Sequence, residues 1–113
     1  MNLKKMIRKN FRDKVFARAK YRCQGPGCSF ISSLEKADKE LDSHHIQNRN
    51  SFLNGGYVAE NGIALCDKCH IKAEIFHSTG MAFVGFSPDD LYRIINSSFE
   101  KAKIADMKKV NHE

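Results

Sequence analysis

Three histidines and one asparagine have the residue types and spacing of a metal-dependent hydrolytic site. His44 and His45 are adjacent, Asn61 follows in mid-sequence, and His70 comes directly after a Cys-x-x-Cys pair. Adjacent residues of a strand point to opposite faces, so one of the paired histidines can bind a metal while the other faces a substrate as a base. A histidine base operates well near neutral pH because its pKa lies there. The pattern predicts a site that activates water.

Four cysteines form two close pairs. Cys23 and Cys28 are separated by four residues, and Cys66 and Cys69 by two. Both spacings are typical of knuckles that bring thiolates onto one tetrahedral zinc ion, and Gly25-Pro26-Gly27 supplies the reversal that the first pair needs. Two disulfides, or four unrelated buried cysteines, are the alternatives. The sequence shows no export signal, so we expect reduced thiols and a structural zinc site with four sulfur ligands.

The positive charge of the chain is concentrated at one end. Residues 1–22 hold nine Lys or Arg and one acidic residue, whereas residues 23–113 hold ten basic and twelve acidic residues. Such a block is either a solvated surface or a binding site for nucleic acid. Beside a candidate phosphodiesterase site the second interpretation is favoured, because basic residues neutralise phosphates and release counterions. The candidate DNA contacts in this block are Lys4, Lys5, Arg8 and Arg12.

The hydrophobic pattern predicts the elements that position these residues. Residues 2–20 read as a helix with an apolar face, residues 43–46 and 63–65 as short strands joined by a polar loop, and residues 67–77 as a helix. This order is a ββα unit. Residues 29–41 are ambiguous between strand and helix. The run Ser87-Pro88-Asp89-Asp90 is typical of a helix N-terminus, and an apolar stripe extends that helix to about residue 105.

The length of 113 residues predicts one α+β domain that would gain from a metal. Within it we expect a basic N-terminal helical arm at 1–22, a core at 23–80, and a C-terminal helical segment at 81–113 that packs on the core. The apolar stretches are too short to span a bilayer, and no apolar region follows the basic N-terminus. We therefore expect no membrane partner and a location in the cytoplasm.

The run His44-His45-Ile46, then Gly55-Gly56-Tyr57, then residues 60–70 resembles the HNH endonucleases, which are also called ββα-metal nucleases. The resemblance covers roughly residues 21–80 and includes both cysteine pairs. It implies a small ββα-metal motif fastened by the four-cysteine zinc and flanked by the N-terminal basic helix and the C-terminal helix. Small HNH proteins of bacteria and their phages are the most similar type, so the location would be a bacterial or phage-infected cytoplasm.

The resemblance also assigns roles to the site residues. His45 would be the general base, and Asn61 would fix the loop and the orientation of that base. His44 and His70 would bind the catalytic divalent metal. Glu74 and His77 lie on the same helical face as His70. We choose Glu74 as the third ligand because of its spacing, with His77 as the second choice.

The implied activity is hydrolysis of DNA phosphodiester bonds with one divalent metal, either Mg, Mn, Ni or Zn, that stabilises the leaving 3′-oxygen. Arg49, Lys68 and Lys72 would be further phosphate contacts. One such site cuts one strand, so double-strand cleavage would require a dimer, a partner protein or two successive nicks. The main alternative is a zinc-stabilised DNA-binding module without catalysis.

Overall fold

The computed structural model describes residues 2–109. In chain order its elements are α1 (Leu3–Arg18), α2 (Ala37–Glu40), β1 (Asp42–His45), β2 (Gly62–Leu65), α3 (Asp67–Thr79), α4 (Pro88–Ile94) and α5 (Phe99–Lys108). Two short 3-10 turns, Arg49–Ser51 and Ala59–Asn61, lie between the strands. Within residues 2–109, no helix combines the length and the apolar character that a membrane crossing requires.

The two strands form an antiparallel hairpin that carries the paired histidines. His44 lies opposite Ile63 and His45 opposite Gly62. Every residue of β2 is buried, so this strand forms the centre of the molecule. Helix α3 follows β2 directly and packs against both strands. The predicted α+β fold with a ββα unit is confirmed.

Helix α1 is a packed part of the molecule and not a free arm. Its apolar face buries Phe11, Val15 and Phe16 against the hairpin. A Cβ atom at Gly62 would lie about 2.5 Å from Val15 and 2.7 Å from Phe11, so the absence of a side chain there permits the close approach. Because α1 lies on the hairpin, its basic face is held close to the candidate site.

The C-terminal helix predicted from residue 87 to about 105 is wrong as a continuous element. Ser87 begins α4 with a capping box, as its sequence indicates, but that helix ends at Ile94. Asn96 adopts a left-handed backbone with φ 57°, and the Ser98 side chain then caps α5. Asparagine tolerates this conformation better than most residues, so the chain reverses here despite the apolar stripe. Residues 110–113 of the C-terminal segment lie outside the described residues.

Candidate active site and cysteine cluster

The four cysteines meet at one point. All four are free thiols, and their Sγ atoms lie within 4.8 Å of one another. The Sγ atoms of Cys28 and Cys66 are 3.8 Å apart, which is about the separation that four Zn–S bonds of ~2.3 Å impose on a tetrahedron. Backbone N–H groups of Gly25 and Cys66 donate to Cys23 Sγ over 3.3 and 3.2 Å. This cluster is compatible with zinc, and none of its four cysteines is part of a disulfide.

Deprotonation of the buried thiols in this cluster is unfavourable without a bound cation. Burial raises the pKa of Cys23 to about 11 and, together with the neighbouring thiols, raises the pKa of Cys69 further. At Cys66 burial also acts to raise the pKa, but hydrogen bonds from the Cys69 backbone and the adjacent thiols outweigh it and lower the value. Thiolates that repel one another in a buried site are stabilised by a divalent ion, so the donor set fits zinc.

The paired histidines face opposite sides of the hairpin. His44 is 2% exposed and points towards α3, where its ring lies 5.2 Å from the rings of His70 and His77. His45 points towards α1, and its ring lies 4.7 Å from the rings of Phe11 and Tyr57. The strand therefore gives the two imidazoles separate environments, as alternation along a strand requires.

Carboxylates and imidazoles converge on the α3 side. Glu74 Oε2 lies 3.1 Å from His44 Nδ1 and 3.3 Å from His70 Nε2. The trio whose ligand atoms all lie within 4.8 Å of one another consists of His44, Glu74 and His77. His70 sits beside this trio, with its Nδ1 atom 3.2 Å from Asp42 Oδ2. The structure thus brings together all four of the predicted ligand candidates.

His44 Nδ1 is buried and is not aligned for a hydrogen bond with Glu74, and no other described atom pairs with it. Burial, followed by the charges of His70, His77 and His45, lowers the pKa of His44 to about 3. The imidazole is therefore neutral at neutral pH and has a lone pair available. A buried nitrogen without a partner beside a carboxylate fits a divalent cation, which accepts nitrogen and oxygen ligands together.

His45 lines a basic cleft of about 330 Å³. Arg8 and Arg12 of α1 and Arg49 of the loop line the same cleft. The Nε2 atom of His45 is shielded from solvent and has no hydrogen-bond partner among residues 2–109. Burial, with the charges of Arg49 and His77, lowers the pKa of His45 to about 4, so its ring is neutral at pH 7.

Asn61 is fully buried and closes the loop between the strands. Its Oδ1 atom accepts from the Gln47 backbone N–H over 3.0 Å, and its Nδ2 group donates to the carbonyls of Gln47 and Gly56 over 3.1 and 3.2 Å. The backbone carbonyl of Asn61 accepts from the N–H of Ile46, next to His45. Because Asn61 has no exposed surface, it is not placed to contact a substrate, and it contacts the loop and the backbone beside His45.

Three further residues support the site, and the sequence analysis did not identify them. The Tyr92 hydroxyl donates to Asn61 Oδ1 over 2.7 Å, and burial raises its pKa. The buried Asp106 accepts from the backbone N–H groups of Asn54 and Gly56 over 2.9 and 2.8 Å. The Asp42 carboxylate contacts His70. The sequence could have identified Asp42 as a site residue, because it lies two residues before His44 and therefore on the same strand face.

The candidate DNA contacts lie in different places. Lys4 shares a hollow with Arg8 and Arg49 next to the His45 cleft, whereas Lys5 is exposed elsewhere on α1. Lys68 is exposed on the first turn of α3. Lys72 lies over the rings of Phe83 and Phe86, with its Nζ atom 5.2 and 5.8 Å from their centroids. Of the candidate contacts, Arg8, Arg12 and Arg49 thus line the cleft of the candidate base.

Comparison with known families gives a match over the part of the chain that contains these sites. The HNH endonuclease family model matches residues 23–74. Searches of curated proteins and of solved structures found no match.

Proposed function

The chain carries an HNH domain over residues 23–74, and from this premise we propose that the protein is a metal-dependent endonuclease that hydrolyses DNA phosphodiester bonds. One observation carries the proposal. The two adjacent histidines separate into a buried imidazole among metal-ligand residues and a neutral imidazole in an arginine-lined cleft. Metal-assisted hydrolysis of a phosphodiester by a histidine base uses these two environments side by side.

His45 acts as the general base. A phosphodiester in the cleft is attracted by Arg8, Arg12 and Arg49, since all three carry a positive charge beside the imidazole. The neutral ring of His45 accepts a proton from the water that attacks phosphorus. The side chains of Phe11 and Tyr57 contact this ring and restrict its orientation.

The metal site lies on the other side of β1. His44 and Glu74 would hold a divalent ion together with His70 or His77, whose rings both lie 5.2 Å from that of His44. An ion bound there supplies a Lewis acid for the scissile phosphate and the leaving 3′-oxygen. Asp42 orients His70 from behind, as carboxylates commonly do for ligand histidines.

Asn61 is a positioning residue in this mechanism. It holds the loop that contains Arg49 and Tyr57, and it pairs with the backbone next to His45. The cysteine cluster has a structural role, since four sulfur ligands leave no position for water. We propose zinc as its ion.

The test is incubation of supercoiled plasmid with the purified protein and Mg, Mn, Ni or Zn ions in turn. We expect conversion to open-circular or linear DNA with at least one ion and none in EDTA. The nicks should be sealed by DNA ligase, because hydrolysis that expels the 3′-oxygen leaves 5′-phosphate and 3′-hydroxyl ends.

Binding of DNA without cleavage under all four ions would contradict the proposal. The non-catalytic DNA-binding module would then be the better account, because it retains the basic face of α1 and the cysteine cluster. Cleavage that persists unchanged in EDTA would equally contradict the metal-dependent mechanism.

A further inference from the structure

A second groove lies beside the His45 cleft and is not used by the proposed mechanism. It has a volume of about 690 Å³ and runs between α1, the loop at residues 57–60 and α5. Phe11 and Tyr57 line both this groove and the His45 cleft. The two depressions are therefore neighbours that share an aromatic border.

The rim of the groove is basic. Lys14 lies on α1, Lys101 and Lys108 lie on α5, and Lys109 follows that helix. Within residues 2–109, no carboxylate lies within 4.0 Å of any of these four amino groups. The single acidic residue of the lining, Glu60, is close enough to Arg18 to affect the pKa of that guanidinium.

The wall of the groove is partly apolar. Ile104 of α5 is 50% exposed and lines the groove with the side chains of Phe11 and Tyr57. Aromatic and apolar walls with a rim of unpaired lysines are typical of surfaces that follow a polynucleotide, because sugars and bases contact the wall and phosphates contact the rim. An anionic small molecule would need a focused pair of charges, whereas these lysines are distributed along two helices.

We propose that this groove binds the DNA strand that flanks the scissile phosphodiester. The inference rests on the proposed function, since the His45 cleft defines where the scissile group lies. It assigns a second task to α5, whose Asp106 supports the loop on one face while Lys101 and Lys108 face the groove. Helices α1 and α5 then extend the DNA contact surface beyond residues 23–74.

The test compares two double variants of equal charge change. Lys101→Gln/Lys108→Gln alters the groove, and Lys36→Gln/Lys39→Gln alters two exposed lysines at α2 that do not line it. The affinity of each for a 30-base-pair duplex, a length of our choosing, is measured at several salt concentrations without added divalent ion. Thermal unfolding of each variant shows that the comparison is between folded proteins.

We expect the slope of log affinity against log salt to become shallower by about 1.8 in the groove variant, since each lost phosphate contact removes about 0.9. The α2 variant should keep the native slope. Equal slopes in the two variants would overturn the inference. Plasmid cleavage by the native protein is scored separately. If the native protein cleaves plasmid and the two variants have equal slopes, the DNA-binding role of the groove is refuted and the nuclease activity is not. If the groove variant has a shallower slope and the native protein does not cleave plasmid, the nuclease activity is refuted and the DNA-binding role of the groove is not.

Discussion

At the scale of single residues, burial and contacts distinguish two histidines that are chemically identical and adjacent. His44 contacts imidazoles and a carboxylate, whereas His45 contacts aromatic rings and an arginine-lined cleft. Both rings are neutral because burial lowers both pKa values. Neutral nitrogen is the form that binds a metal and also the form that accepts a proton. The proposed roles therefore follow from the neighbours of each ring.

The residue with the clearest consequence for metal binding is Glu74, whose carboxylate lies between His44 and His70. We expect Glu74→Ala to weaken binding of Ni or Mn by about 10- to 100-fold or more, because even supporting residues of metal sites have effects of that size. The cysteine-bound zinc should remain. Calorimetry measures the affinity, and elemental analysis measures the zinc.

The matched control is Glu35→Ala, which removes an exposed carboxylate far from α3 in sequence. Equal affinities for Glu74→Ala and Glu35→Ala would show that Glu74 is not a ligand. His70→Ala and His77→Ala, measured in the same way, identify which imidazole completes the set.

At the scale of elements, the loop between the strands is held by three helices, two of which come later in the chain. Tyr92 of α4 reaches Asn61, and Asp106 of α5 accepts two backbone N–H groups of the loop. Arg18 of α1 donates to the carbonyls of Ala59 and Gly62 at the other end of the loop. Three helices thus fix the segment that carries Arg49 and Tyr57.

Asp106→Asn tests this attachment. An amide offers one acceptor oxygen where the carboxylate offers two, so either the part-buried N–H group of Asn54 or the buried N–H group of Gly56 loses its partner. We expect the free energy of unfolding to fall by about 1–3 kcal/mol. Denaturant titration measures it. Glu100→Gln, on the exposed side of the same helix, should change it by less than about 0.5 kcal/mol. Equal effects would mean that the loop does not depend on Asp106.

At the scale of the whole molecule, patterns of short range were predictable and contacts of long range were not. The cysteine pairs, the ββα order and the cap at Ser87 depend on neighbours in sequence, and the structure has all three. The contact of Tyr92 with Asn61 joins residues far apart in the chain through packing across the molecule, for which the sequence has no local pattern. The sequence thus indicated the candidate ligands but not the contacts by which Tyr92 and Asp106 support the site.

The elements around the candidate base also support one another across the molecule. The cysteine cluster fastens the segment after α1 to the start of α3, α1 covers the hairpin, and α5 supports the loop. The arginines of the His45 cleft come from α1 and from the loop. Every element next to the candidate base is therefore held by another part of the chain.

The most direct measurement is the nicking rate of supercoiled plasmid by His45→Ala, compared with the native protein and with Ser43→Ala. Ser43 lines the same cleft but offers no base at neutral pH. We predict that His45→Ala lowers the rate by about 10²- to 10⁴-fold with DNA affinity unchanged, and that Ser43→Ala stays close to native. A native rate in His45→Ala would contradict the assignment of His45 as the general base.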